Sequence, residues 1–274
     1  MHKSSLMYYD RVASDELASN PTPLDFVQLL ADPIRWRLLD ELGRSDRRVG
    51  ELCEIVGESQ SLVSYHLREL RSGDLVRARR SAFDGRDTYY RRDFGRFVDL
   101  WTLAGAALHP GIHGVSTEPV SPTRHRRRRQ QVLFLCTGNS SRSQMAEALL
   151  GHRSNGAILA RSGGSHPKPL HRLAVRVMAD RGIDISQNRS KHFSEFASDR
   201  FDRVVTLCDK VREVCPEFPG HPDAVHWSMA DPADRSGGQG RQRDFVRTAD
   251  ELEDRIGPLI AQLSSDVPTE RKRL

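Results

Sequence analysis

The sequence of 274 residues predicts two domains, a mainly α-helical N-terminal part and a C-terminal doubly wound parallel α/β sheet. Three observations predict this. At roughly 150 residues per domain, the length alone suggests two domains. Residues 109–130 have the composition of a linker, with Ser/Thr-flanked prolines, no apolar period and a terminal run Arg-His-Arg-Arg-Arg-Arg at 124–129. The segments on either side follow different patterns: helical spacing before the linker, and short apolar runs alternating with helical stretches after it. The predicted boundaries are 1–108, 109–130, 131–264 and a C-terminal tail at 265–274.

In the first segment, Leu24 to Ala31 and Pro33 to Leu42 show helical spacing, and Pro33 is tolerated in a first turn. Val49, Leu52, Cys53 and Val56 fall on one helix face, which Gly57 ends. Ser59 is a candidate N-cap for a helix running to about Ser72. The strand-like stretches Leu75 to Ala82 and Thr88 to Arg92 are joined by Asp84-Gly85-Arg86-Asp87 as a hairpin, and an apolar helix follows from Phe94 to Leu108. In the second segment, Val132 to Leu135 is a continuously apolar run, as a buried parallel strand requires. Ala157 to Arg161, Arg203 to Leu207 and Ala224 to Trp227 are further strands, between helices near 142–152, 168–182, 209–215 and 241–263. Ligands of such sheets sit at the carboxyl ends of the strands.

Hydrophobic residues make up 37 % of the chain and the formal net charge is +5, which excludes disorder throughout. No apolar run approaches the ~20 residues needed to span a membrane, and Met1 to Asp10 contain no apolar signal core, so a cytoplasmic location is expected. Four cysteines do not make a disulfide scaffold, and in that compartment their chemistry is expected to be catalytic or redox. The arginines clustered between 59 and 92, and those of 124–129, are either phosphate-binding patches or solvated faces.

A short helix, a tight turn, a second helix and then a hairpin is the order of a winged helix-turn-helix. On the second helix Val63, Leu67 and Leu70 share one face, and Ser61, Ser64, Tyr65 and Arg68 the opposite one. That polar face suits a recognition helix in a major groove, although an ordinary solvated face has the same pattern. Arg79 and Arg86 of the hairpin suit contact with the DNA backbone. Leu-Ala-Asp-Pro-Ile-Arg-Trp-Arg-Leu-Leu at 30–39, Ser-Gln-Ser-Leu-Val-Ser-Tyr-His-Leu-Arg-Glu-Leu at 59–70 and Gly-Asp-Leu-Val at 73–76 resemble the ArsR-type regulators. The resemblance implies a dimeric repressor of double-stranded operator DNA, with Gln60 added to the contacting residues. It further implies pairing of the terminal helices, for which Phe94, Phe97, Leu100, Trp101 and Leu108 could supply the surface. Arsenic sensors of that family often bind As(III) through paired cysteines, whereas Cys53 stands alone on an apolar face and reads as a core residue. His109 and His113 belong to the linker, so no metal ligands are expected.

At the end of the first strand of the second segment stands Cys136-Thr137-Gly138-Asn139-Ser140-Ser141-Arg142-Ser143, and a helix follows directly. Small residues let the backbone wrap closely, so that its amides and the helix N-terminus form an oxyanion cradle. Arg142 adds a bidentate clamp. The same positive field would favour a thiolate at Cys136, and the thiolate is the nucleophile. This is not a nucleotide-binding loop, since the Gly-Lys-Ser/Thr ending is missing.

The stretch resembles the low-molecular-weight tyrosine phosphatase fold, a superfamily that also contains thioredoxin-coupled arsenate reductases. Two further places resemble the reductases. One is Cys208 with Cys215, seven residues apart after a strand; the other is Asp231-Pro232, followed by Ala233 where the phosphatases usually place an aromatic residue. The resemblance implies that Cys136 attacks arsenate held by residues 137–143, that Asp231 protonates the leaving oxygen, and that Cys208 and Cys215 relay the disulfide to thioredoxin. No bound cofactor is implied. Asn139 and Ser143 match positions that support the thiolate. Two other readings stand beside this one: a phosphotyrosine phosphatase tethered to DNA, and a regulator whose α/β domain only senses an oxyanion.

Overall fold

The computed structural model describes residues 21–83, 85–109, 112, 129–214, 224–234 and 241–265. Nearly all of the expected linker, Asp84 of the hairpin turn, Cys215 and the 266–274 tail lie outside the described residues.

The N-terminal half is helical with one small sheet. Helix α1 (Pro23–Leu30) begins in a capping box in which the Thr22 hydroxyl and the Asp25 carboxylate satisfy each other's backbone amides. Helix α2 (Pro33–Leu42) is capped by Asp32, whose carboxylate accepts from the Ile34 and Arg35 amides at 2.9 Å. Helix α3 (Val49–Val56) ends at Gly57, whose φ of 75° is the left-handed conformation that glycine adopts without strain. Helix α4 (Gln60–Ser72) follows the Ser59 cap. Strands β2 (Val76–Arg80) and β3 (Thr88–Arg92) form the hairpin, and helix α5 (Phe94–Leu108) closes the unit. A short strand β1 (Arg47–Arg48), not expected from its two charged residues, pairs with β3 to give the order β1-β3-β2. Phe26, Leu38, Leu52, Val63, Leu67, Leu70 and Leu100 form the core of this half. Cys53 packs against it half buried.

The C-terminal half is built on a parallel sheet of β4 (Gln131–Cys136), β5 (Leu159–Gly164), β6 (Arg203–Thr206) and β7 (Val225–His226), in the order β5-β4-β6-β7. The chain passes from β4 to β5 on one side and returns to β6 on the other. The strand order therefore reverses between β4 and β6, where open α/β sheets place their ligands. Helices α6 (Arg142–Arg153), α7 (Arg172–Ala179), α8 (Asp209–Val214) and α9 (Gln242–Ser265) complete this half. Its core is continuous from Leu133 and Phe134 of β4 to Phe245, Leu252 and Ile256 of α9.

The boundaries of two elements differ from expectation: the helix expected over 168–182 spans Arg172–Ala179, and the strand expected over 157–161 spans Leu159–Gly164. The helix expected from 168 starts only at Arg172, because the Lys168 and His171 amides donate to the Gly138 and Ser140 carbonyls instead of to a helix. The second strand runs on to Gly164, where a side chain would not fit: a Cβ there would stand 2.7 Å from the Thr137 oxygen.

The two halves are in contact. The Asp46 amide donates to the His226 carbonyl at 2.8 Å, and the Asp46 carboxylate accepts from the Ser228 amide at 2.8 Å. The same carboxylate takes both terminal nitrogens of Arg255, at 2.9 and 3.1 Å. Arg212 of α8 donates to Glu51 of α3 at 2.9 Å. A linker composition carries no information about such packing.

Candidate active site

The carboxyl end of β4 delivers Cys136 into the reversal point of the sheet, 2 % exposed. The following loop is held from outside. The carbonyls of Thr137, Gly138 and Ser140 accept from the amides of His166, Lys168 and His171 at 2.8, 2.8 and 2.9 Å, and Ser190 Oγ donates to the Asn139 carbonyl at 2.8 Å. With its carbonyls committed outward, the loop keeps its amides for the interior. Asn139 is fully buried with φ 44°, a conformation asparagine tolerates better than most residues. Its amide nitrogen Nδ2 donates to Ser143 Oγ and Ser162 Oγ at 2.9 and 2.8 Å, while Oδ1 accepts from Gln144 and from the Lys191 amide.

The Cys136 sulfur has two close partners. Ser143 Oγ lies 2.9 Å from Cys136 Sγ, and the Asn139 backbone amide donates to the same sulfur at 3.2 Å. Ser141, the residue before α6, makes no side-chain cap, which leaves the first amides of that helix for an anion. Arg142 is 4 % exposed. Its terminal nitrogens reach Asp231 Oδ2 and the Met229 carbonyl, each at 3.0 Å, while Nε is buried with no hydrogen-bond partner among the described residues. Burial alone disfavours the guanidinium charge, but Asp231, Cys208 and Cys136 outweigh it and raise its pKa. A buried cation with an unused donor at the mouth of such a loop is a geometry that could accept an oxyanion.

Asp231 is thus tied to Arg142 of the loop, half exposed, with Oδ1 accepting from the Ala233 amide at 3.1 Å. Cys208 lies two residues beyond the end of β6, and its sulfur is 3.1 Å from Thr137 Oγ1. The structure thus gathers Cys136, residues 137–143, Asp231 and Cys208 at one end of the sheet. Among the described residues Cys136, Cys208 and Cys53 are free thiols, and no group of three His, Cys, Asp or Glu side chains could hold a metal.

On the other half, Gln60, Ser61, Ser64, Tyr65 and Arg68 are all exposed, and Arg68 lies 5.5 Å over the Tyr65 ring. Arg86 is exposed as well. Arg79 departs from the expected DNA-facing role: β2 lies against the C-terminal half, and its guanidinium binds Asp209 and Ser228. Of the expected pairing surface, Trp101 and Leu108 are exposed, but Leu100 is buried in the core of its own half and Phe97 packs against it. No described helix is long and apolar enough to cross a membrane.

A strand that ends in a cysteine, a tethered loop and a helix opening on a buried arginine form one strand–loop–helix unit at the point where the strand order reverses. Residues 131–269 match the sequence profile of the family described as low molecular weight phosphotyrosine protein phosphatase, and this chain belongs to that family. Residues 32–78 match the bacterial regulatory protein, arsR family. Among its relatives, an arsenate reductase of Brevibacillus brevis is 38 % identical over 128 residues, covering 47 % of this chain and 92 % of that protein. Arsenate reductase 2 of Bacillus cereus is 37 % identical over 132 residues, with the same coverage. A solved structure of an arsenate reductase in the phosphate binding state is 30 % identical, covers 48 % of this chain and 98 % of its own, and superposes with a TM-score of 0.42.

Proposed function

We propose that this chain is an arsenate reductase joined to a DNA-binding transcriptional repressor, with residues 1–108 as the regulatory module, 109–130 as linker, 131–264 as the catalytic module and 265–274 as tail. The observation that carries the catalytic reading is the second thiol at the loop, Cys208 beside Thr137. Phosphoryl transfer needs no such thiol, whereas a redox relay does. The names of the relatives at 37–38 % identity support the same reading.

Arsenate sits on the loop amides and Arg142, and the Cys136 thiolate attacks arsenic. Asp231 protonates the oxygen that leaves as water, giving a Cys136–arsenic(V) adduct. The Cys208 thiolate then attacks the Cys136 sulfur. The S–As electron pair stays on arsenic, arsenite departs, and the two thiols have supplied the two electrons as a Cys136–Cys208 disulfide. Cys215 attacks Cys208, which frees Cys136, and the dithiol of thioredoxin reduces the resulting Cys208–Cys215 bond. On the regulatory side, Gln60, Ser61, Ser64, Tyr65, Arg68 and Arg86 contact double-stranded operator DNA. Exposed Trp101, Leu103 and Leu108 of α5 and Leu24 of α1 offer the apolar surface of a homodimer. The thioredoxin requirement fits the cytoplasm.

The test compares arsenate reduction with aryl-phosphate hydrolysis on the purified full chain. The expected result is thioredoxin-driven arsenite formation that is lost in Cys136→Ser and in Cys208→Ser. Hydrolysis of the aryl phosphate without arsenate reduction would make the chain a phosphatase, and neither activity would leave an oxyanion sensor.

A further inference from the structure

The two halves of the chain meet at Asp209, the residue bonded to Cys208. Its carboxylate is wholly buried, and donors converge on it from both halves. Arg79 Nη2 lies 2.9 Å from Oδ1 and 2.6 Å from Oδ2, and the Ala82 amide donates to Oδ2 at 2.7 Å. Both belong to the hairpin of the regulatory half. From the catalytic half, Ser228 Oγ donates to Oδ1 at 2.8 Å and His226 Nε2 lies 3.2 Å from it. Arg79 Nε also donates to the Ser228 carbonyl, at 3.2 Å.

This carboxylate is ionised. Burial alone would raise its pKa, but the His226 hydrogen bond, the Ala82 amide, the Arg79 charge and Ser228 together hold it well below the usual carboxylate range. A buried charge is tolerated only while its partners stay in place. Asp209 is therefore held from the regulatory half by Arg79 and the Ala82 amide and from the catalytic half by Ser228 and His226, and it is covalently next to the thiol at the oxyanion loop.

We propose that Arg79 is a positioning residue for Cys208: the wing of the regulatory half, acting through Asp209, holds the thiol that must attack Cys136, a role that rests on the reductase reading above. One guanidinium cannot clasp Asp209 and a DNA phosphate at once. By linkage, a partner that draws Arg79 away loosens the thiol, and a step that draws Cys208 and Asp209 toward Cys136 loosens the wing.

The test uses the full chain with Cys215→Ser, so that the Cys136–Cys208 disulfide accumulates, and adds Arg79→Ala or Arg79→Lys. Arsenate-driven disulfide formation is timed by peptide mass spectrometry, Cys208 alkylation by iodoacetamide is followed in parallel, and phosphate affinity for the loop is measured by calorimetry. The expected result for Arg79→Ala is disulfide formation slowed about tenfold or more, since small misplacements of reacting groups are costly. Cys208 alkylation becomes faster, phosphate affinity is unchanged, and Arg79→Lys recovers part of the rate. Unchanged disulfide and alkylation rates in Arg79→Ala would overturn the proposal alone. So would a joint loss of rate and phosphate affinity that Arg79→Lys does not relieve, because Arg79 would then be a structural prop. A parent protein that forms no disulfide with arsenate would overturn the reductase reading, and this role with it.

Discussion

Ser143 Oγ and Cys136 Sγ lie 2.9 Å apart, both buried, one at the end of a strand and the other in the first turn of the helix that follows. Asn139 Nδ2 donates to the same hydroxyl at 2.9 Å, which turns its proton toward the sulfur. The hydroxyl is thus placed to donate to the sulfur. Ser143→Ala removes that donor, and hydrogen bonds to charged groups are worth about 1.5–3 kcal/mol, so alkylation of Cys136 by iodoacetamide at pH 7 slows by about tenfold or more. Unchanged alkylation would show that Ser143 does not serve the thiolate.

The junction of the two halves depends on Asp46. Asp46→Ala leaves the Arg255 guanidinium, buried against Trp227, with Glu251 alone, and frees the Ser228 amide. Breaking a buried pair from one side costs about 3–5 kcal/mol. Urea unfolding of the full chain is expected to show that loss, and a change below about 1 kcal/mol, the range of exposed pairs, would mean the junction is open in solution.

The junction also has a pH signature. Asp209 and Glu51 both carry pKa values below the ordinary carboxylate range: in each, burial opposes ionisation but is outweighed, for Glu51 by the Arg48 amide and Arg212. Groups lowered on folding contribute stability that is fully present above their unfolded values, near 3.9 and 4.3, and is lost as pH falls through the folded ones. The thermal midpoint is therefore expected to gain nothing from these two groups between pH 6 and 8 and to fall below about pH 4. Asp209→Asn should flatten that acid limb, and an unaltered limb would remove Asp209 from the account.

For the regulatory half, Arg68→Ala is expected to weaken operator binding by about 1–3 kcal/mol if the side chain reaches a base edge. A gel-shift titration on a dimer-sized inverted repeat measures it. Equal affinity would take Arg68 off the contacting face.

Most of the site was legible because its chemistry is local. Cys136 to Ser143 lie within one strand–loop–helix unit, and the buried stripe Val63, Leu67 and Leu70 follows from helical period alone. The polar face of Ser61, Ser64, Tyr65 and Arg68 is exposed as its period requires. What was not legible is long-range. Nothing in Arg47-Arg48 signals a strand, since β1 exists only because β3 offers it an edge. Nothing in Arg79 distinguishes it from Arg77 or Arg80 until the chain places Asp209 against it, 130 residues away. Leu100 has the same helical apolar signal as Trp101, and only packing decides that one is buried and the other exposed.

The central claim is that Cys136, Cys208 and Cys215 act in sequence on arsenate. It is tested most directly by giving Cys215→Ser protein excess arsenate and thioredoxin and mapping its disulfides by mass spectrometry of tryptic peptides. The account predicts one arsenite released per chain, then arrest with Cys136 joined to Cys208. Sustained thioredoxin-driven turnover of this variant, or arsenite release with both thiols still free, would contradict it.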